Sequence, residues 1–190
     1  MATDLTPGVQ RLGAVLRAIP DEGLGGPTPC SESTVGDLID HVDSFAVAFT
    51  AAARKQDLGG RPPAPDAANL GDDWRTRIPA RLTELAEAWQ DPAAWEGMTR
   101  AGGLDLPGEV AGAVAIDELV LHGWDLAVAT GQSYDVDPEL LEAAHGFVQA
   151  VAAEGGPRDG LFGPPVAVPD DAPLFDRVLG LAGRDPGWRP

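Results

Sequence analysis

Residues 108–130 read GEVAGAVAIDELVLHGWDLAVAT, a segment that is apolar on most sides yet contains several ionisable residues. At about 100° per residue, its apolar side chains cover most of the circumference of a helix, which predicts a helix buried by its neighbours. Glu118, His122 and Asp125 share an arc of roughly 60° on that helix, at i, i+4 and i+7 spacing. Buried charges are costly unless they are paired or bind a metal, so this stripe requires partners elsewhere in the chain.

Apolar residues at helical spacing predict further helices on both sides of this segment. They are a helix from Thr6 to Pro20, one capped by Thr34 and closed by Gly59-Gly60, one over about 70–89, one from Asp137-Pro138 through Ala153, and a short one over 173–181. Residues 93–108 have the pattern of a hairpin or loop. We therefore expect residues 1–190 to form a single all-α domain packed as an antiparallel bundle.

The composition narrows the class of protein. Thirteen basic and thirty acidic residues give a net charge of −17, which disfavours binding to nucleic acid or to anionic membranes. Cys30 is the single cysteine, so no intramolecular disulfide can form, and no apolar run is long enough to span a bilayer. We expect a soluble, cytoplasmic protein with a small-molecule partner; whether it forms a homodimer is left open.

The spacing of Glu118 and His122 allows both side chains to reach one ion, and imidazole with carboxylate suits zinc and its neighbours. A plain Glu–His hydrogen bond, or a solvated helix face, would also account for the pair. His41 lies at the edge of the apolar stripe of the second helix and is a candidate third ligand. Its alternative is a surface histidine paired with Asp37.

Four other residues receive more ordinary interpretations. We predict His145 to be a surface residue beside Glu142, and Trp124 to pack in the core. Cys30 is interpreted as structural, because no basic residue is near it in the sequence. Asp125 could form a hydrogen bond with a metal-binding histidine and so fix the orientation of its ring.

Arg81 falls within roughly 20° of Trp74 on the buried stripe of the third helix. One interpretation is that its charge extends past the edge of the helix or meets a carboxylate. The other is that Arg81 faces the metal and binds an anionic part of the substrate or thiol.

Three stretches resemble a known family. Pro27-Thr28-Pro29-Cys30, Thr34-Val35, Asp37-Leu38 and His41 resemble the signature P-T-P-C-x-x-W-T-V-x-D-L-x-x-H of DinB-like proteins related to the N-terminal domain of mycothiol-dependent maleylpyruvate isomerase, with Ser33 at the tryptophan position. Residues 118–131 resemble its motif E/D-x-x-x-H-x-W-D-L-A-x-x-x-G, and residues 161–166, LFGPPV, resemble its tail.

The resemblance implies a DinB-like antiparallel four-helix bundle, with extra C-terminal helices, that binds a divalent metal through His41, Glu118 and His122. Zinc is the expected ion and nickel the alternative. The resemblance also implies a metal-dependent transferase or isomerase that uses mycothiol or a similar thiol. Three protein ligands leave a coordination position open for a thiol, but also for water or for a ligand held by a non-catalytic binding protein. The sequence leaves these alternatives open.

Overall fold

Six helices and one hairpin build the part of the chain that the computed structural model describes, residues 2–60, 62–153 and 162–190. The helices are α1 (Thr6–Ala18), α2 (Val35–Ala53), α3 (Trp74–Trp89), α4 (Gly108–Ala129), α5 (Pro138–Ala153) and α6 (Leu174–Leu181). The strands β1 (Met98–Ala101) and β2 (Leu104–Pro107) pair antiparallel. These bounds confirm the predicted helices apart from two ends: α2 ends at Ala53, before Gly59-Gly60, and the third helix begins later than predicted. They also show that residues 93–108 contain a hairpin.

The start of α2 is fixed by a capping box. The Thr34 hydroxyl accepts a hydrogen bond from the Asp37 backbone N–H at 3.2 Å, and the Asp37 carboxylate accepts one from the Thr34 N–H at 2.9 Å. Two of the free N–H groups at the helix start are thereby satisfied. Asp37 is therefore engaged with the cap, and His41 follows one turn later with its side chain free to turn towards α4.

The helix predicted from about residue 70 begins later than expected. Ala67–Asn69 form a short 3-10 turn, and Gly71 adopts a φ of 65°, which lies outside the helical region. The regular helix starts only at Trp74. The predicted helix began too early because Leu70 fits its apolar pattern. Leu70 is indeed buried, but it lies in the turn before α3 and not in the helix.

The first four helices form the bundle. α1 and α2 each pack against both α3 and α4, so α2 and α4 are neighbours, while α5 packs on α4 and α6 on α5. Buried apolar residues from all six helices form one contiguous core. None of the described helices is both long and apolar enough to cross a membrane. Leu161, the first residue of the tail motif, lies outside the described residues.

The hairpin turns through Gly102 and Gly103, whose φ angles are 59° and 82°. Two consecutive positive φ angles are a requirement of the tight turn that suits the twist of paired strands, and glycine adopts them without strain. The hairpin contacts both α2 and α4. Thr99 of β1 donates to the Ala52 carbonyl, so the hairpin packs at the C-terminal end of α2, eleven residues beyond His41.

Candidate metal centre

The α2–α4 seam brings together His41, Glu118 and His122. Glu118 Oε2 lies 3.0 Å from His41 Nε2 and 3.0 Å from His122 Nε2, and the rings of the two histidines are 4.8 Å apart. One ligand atom from each residue lies within 4.8 Å of the other two. Two imidazole nitrogens and a carboxylate oxygen converging on one point form a donor set that suits zinc and related divalent ions. The chemistry of these residues therefore fits a metal.

This cluster is buried on one side and open on the other. The side chains of His41, Glu118 and His122 retain 32%, 19% and 14% of their exposure. Burial acts to raise the pKa of Glu118, but hydrogen bonds with His122 and His41 outweigh it and hold that pKa well below its usual range. Glu118 is consequently an anion that a cation could bind.

Asp125 lies behind His122. The His122 Nδ1 atom is 3.0 Å from Asp125 Oδ2, while Asp125 is completely buried and lies one turn further along α4. Such a carboxylate fixes the tautomer of a ligating histidine, because a proton held on Nδ1 leaves Nε2 as the nitrogen that can bind a metal. Burial lowers the pKa of His122, but its hydrogen bonds with Asp125, Cys30 and Glu118 prevail and raise that pKa well above its usual value.

Arg184 is a functional-site residue that sequence analysis missed. Its Nη2 donates to Asp125 Oδ2 at 3.2 Å and lies 3.3 Å from Cys30 Sγ, and the thiol donates to the same Asp125 oxygen at 3.2 Å. Arg184 follows α6, in a tail with no periodic pattern, so no sequence signal pointed to it. No basic residue is near Cys30 in the sequence, but the fold supplies one from 154 residues along the chain.

Three other residues of the sequence analysis, Arg81, His145 and Trp124, are not among the candidate ligands. Arg81 Nη1 donates to Asp43 Oδ1 at 2.7 Å. Asp43 projects from α2 about 200° around the helix from His41. The structure thus gives Arg81 the carboxylate partner that was one of its two sequence interpretations. His145 is partly buried on α5, and Trp124 is 6% exposed, which confirms its predicted place in the core.

The chain is similar to several known proteins. An uncharacterized protein of Mycobacterium tuberculosis, found in strain CDC 1551 / Oshkosh and in strain ATCC 25618 / H37Rv, is 37% identical over 182 residues, covering 90% of each chain. The crystal structure of the mycothiol-dependent maleylpyruvate isomerase superposes with a TM-score of 0.61 at 16% identity, covering 79% of this chain and 69% of that one. A histidine-to-alanine mutant of that isomerase gives a TM-score of 0.57 at 18% identity, with the same coverage.

These structural matches confirm the expected DinB-like helical fold. The family model described as the mycothiol maleylpyruvate isomerase N-terminal domain matches residues 5–127, which include α1 to α3, the hairpin, most of α4 and all three candidate ligands. Because this match spans more than half of the chain, the chain belongs to the mycothiol maleylpyruvate isomerase N-terminal domain family.

Proposed function

We propose that the chain binds one divalent transition-metal ion, zinc being the expected one, through His41, Glu118 and His122, and that it uses mycothiol or a similar thiol to transform a small electrophilic substrate. The observation that carries the proposal is the convergence of two imidazoles and a carboxylate on an open seam of the bundle. Membership in a family named for a mycothiol-dependent isomerase supports the choice of thiol.

Each residue of the candidate centre has a separate role in this proposal. Glu118 supplies the negative charge, and His41 and His122 supply neutral nitrogens, so the protein contributes three ligands and leaves the solvent side open. An ion held there would lower the pKa of a thiol bound beside it, so that the thiol is a thiolate near neutral pH. Asp125 keeps the His122 ring in its ligating orientation, and Arg184 offsets the buried charge of Asp125.

A thiolate made in this way can add to an electrophilic carbon, either at a C=C bond conjugated to a carbonyl, whose π electrons move to the carbonyl oxygen and leave a C–C single bond, or at a carbon that expels chloride. If the new C–S bond persists, the thiol is consumed and the protein is a transferase. If the bond forms, the substrate rotates about the resulting single bond and the thiol is expelled again, the protein is an isomerase and the thiol is recovered. Thiol loss and substrate conversion must therefore be measured separately.

The test uses zinc-loaded protein with mycothiol and two substrates, maleylpyruvate and a chlorodinitrobenzene. We expect conversion of at least one substrate to depend on both thiol and zinc, and to be lost in His122→Ala while His145→Ala retains it. If the protein binds zinc and thiol but converts neither substrate above the rate of zinc and thiol in solution, a non-catalytic binding or sequestering role replaces the catalytic one. Absence of zinc binding would overturn both.

A further inference from the structure

A trough lies between α2, α3 and the hairpin, separate from the candidate metal centre. Its larger part has a volume of about 530 Å³, within the range of small-molecule sites, and its smaller part has a volume of about 190 Å³. Val47, Leu58 and Arg81 line both parts, so the two form one continuous surface, which we call the α2 trough. No candidate metal ligand lines either part.

Apolar side chains are exposed in the α2 trough. Val47 and Leu58 retain 37% and 61% of their exposure, and they are two of the four large apolar side chains that are exposed in the described part of the chain. Pro62, Pro63 and Ala101 line the larger part beside them. Single exposed apolar residues are ordinary, whereas several that gather in one concave surface indicate a ligand. The trough therefore offers a contact surface to an apolar group.

The polar groups of the trough leave donors available rather than acceptors. Both oxygens of Asp43 accept hydrogen bonds, one from Arg81 and one from Arg77. Both oxygens of Asp57 accept as well, from Arg100 and from a backbone N–H in its own loop. Within the described residues, Arg81 and Arg100 donate through Nη1 alone, although each guanidinium carries several more N–H groups. A ligand that accepts hydrogen bonds suits these donors, and an anion suits them best because the donors are cationic.

We propose that the α2 trough binds a small amphipathic carboxylate, such as a medium-chain fatty acid, with its carboxylate on Arg81 and its apolar chain along Val47 and Leu58. Arg81 is the anchor because it lines both parts of the trough and its side chain is 38% exposed. Its pairing with Asp43 holds the guanidinium in place before the ligand arrives, which limits the entropy lost on binding. The net charge of −17 does not prevent this contact, since exposed charges more than about 8 Å away are screened at physiological salt.

Two variants test the two parts of this contact: Arg81→Gln removes the charge, and Leu58→Ser removes apolar surface. Neither should unfold the protein, because Asp43 keeps a second arginine and Leu58 is 61% exposed. The matched controls lie outside the trough. They are Arg17→Gln, at an exposed arginine on α1, and Met98→Ser, at a side chain that is likewise 61% exposed.

Calorimetry with octanoate and zinc-saturated protein measures the binding. We expect one octanoate per chain, bound about fivefold more tightly than hexanoate, because two more methylene groups contact the trough. Octylammonium, which has the same chain and the opposite charge, should not bind. Arg81→Gln and Leu58→Ser should each weaken octanoate binding about fivefold or more, while both control variants should match the parent protein.

A carboxylate can also bind zinc, so the site of binding needs its own control. His122→Ala removes a candidate metal ligand and should bind octanoate as the parent protein does. Loss of binding in that variant would place the carboxylate at the metal and overturn the proposal. So would the absence of octanoate binding, equal affinities for octanoate and octylammonium, or unchanged affinity in both trough variants. A dimer in sedimentation that Leu58→Ser dissociates would also overturn it, because the trough would then be a surface between two copies of this chain.

Discussion

Arg184 donates a hydrogen bond to Asp125, with 3.2 Å between Nη2 and Oδ2, and so links the C-terminal tail to the C-terminal end of α4. Asp125 is completely buried and Arg184 is 8% exposed. Burial acts to raise the pKa of Asp125, but its contacts with His122 and Arg184 prevail and lower that pKa, so the carboxylate remains charged in the interior. Arg184 thus acts as the buried counter-charge of the candidate metal centre.

Replacing Arg184 by methionine should destabilise the protein by about 3 kcal/mol, because it removes the guanidinium from a completely buried carboxylate and leaves His122 as its remaining charged partner. Urea unfolding of the metal-free protein measures the change. Arg189→Met is the control, since Arg189 is exposed and its side chain donates to the neighbouring Trp188 carbonyl. Equal stabilities of the two variants would mean that Arg184 does not supply the counter-charge.

The candidate ligands could be predicted from the sequence because they lie on regular helices. Glu118 and His122 are four residues apart on a segment whose periodicity fixes the direction of every side chain, and His41 follows a capped helix start. The α2–α4 packing then brings them together. The roles of His41, Glu118, His122 and Asp125 stay predictions until metal is measured.

The contacts around Arg184 and Arg81 could not be predicted in the same way. Arg184 lies in an irregular tail, where position depends on long-range packing and leaves no periodic trace. Arg81 lies on a regular helix, and its half-buried place was predicted, but the choice of carboxylate depends on how α3 packs against α2. The spacing of apolar residues in the sequence predicts which face of a helix is buried. Which side chains of other elements a residue contacts is known only from the tertiary structure.

We predict about one zinc per chain in protein purified without chelators, and none after His122→Ala, because two ligands seldom retain a divalent ion. The bundle should stay folded, since its core does not depend on metal. Elemental analysis and circular dichroism measure the two outcomes. His145→Ala is the matched control and should keep its zinc. An unfolded His122→Ala protein would show that the metal is structural.

The metal-free protein should lose stability as the pH rises. Burial lowers the pKa of His122, but its hydrogen bonds raise it well above 6.5. A pKa raised by folding contributes stability that is fully present below the unfolded-state value and is lost as the pH rises through the folded-state value. The contribution of His122 is therefore complete below about pH 6.5 and declines above it. Urea unfolding of the parent protein and of His122→Ala, at pH values on both sides of about 6.5, measures the contribution of His122 to the free energy of unfolding.

The effect of zinc should have the opposite sign. Zinc requires a neutral imidazole, so binding displaces the proton that the metal-free site holds on His122, and affinity rises with pH. We expect the zinc-induced increase in Tm to be larger at about pH 8 than at about pH 6. A larger increase at the lower pH would contradict binding through His122.

Gly123 supplies the last prediction, because α4 and Tyr134 approach each other too closely for a side chain there. A Cβ at Gly123 would overlap the Tyr134 ring and hydroxyl, and that hydroxyl donates to the Leu119 carbonyl at 2.9 Å. Gly123→Ala should therefore displace the ring and cost about 3 kcal/mol. Gly146→Ala on α5, where nothing lies within 4 Å of the added Cβ, should instead add about 0.5 to 1 kcal/mol through helix propensity.

Urea unfolding of both glycine variants tests the contrast, and a double-mutant cycle identifies its cause. If the tyrosine ring is the obstacle, the cost of Gly123→Ala should largely vanish in a Tyr134→Ala background, because the overlapping atoms are then absent. An undiminished cost in that background would place the strain elsewhere in α4. In that case zinc content should fall together with stability, since Gly123 directly follows His122 and a distorted α4 would misplace the ligand.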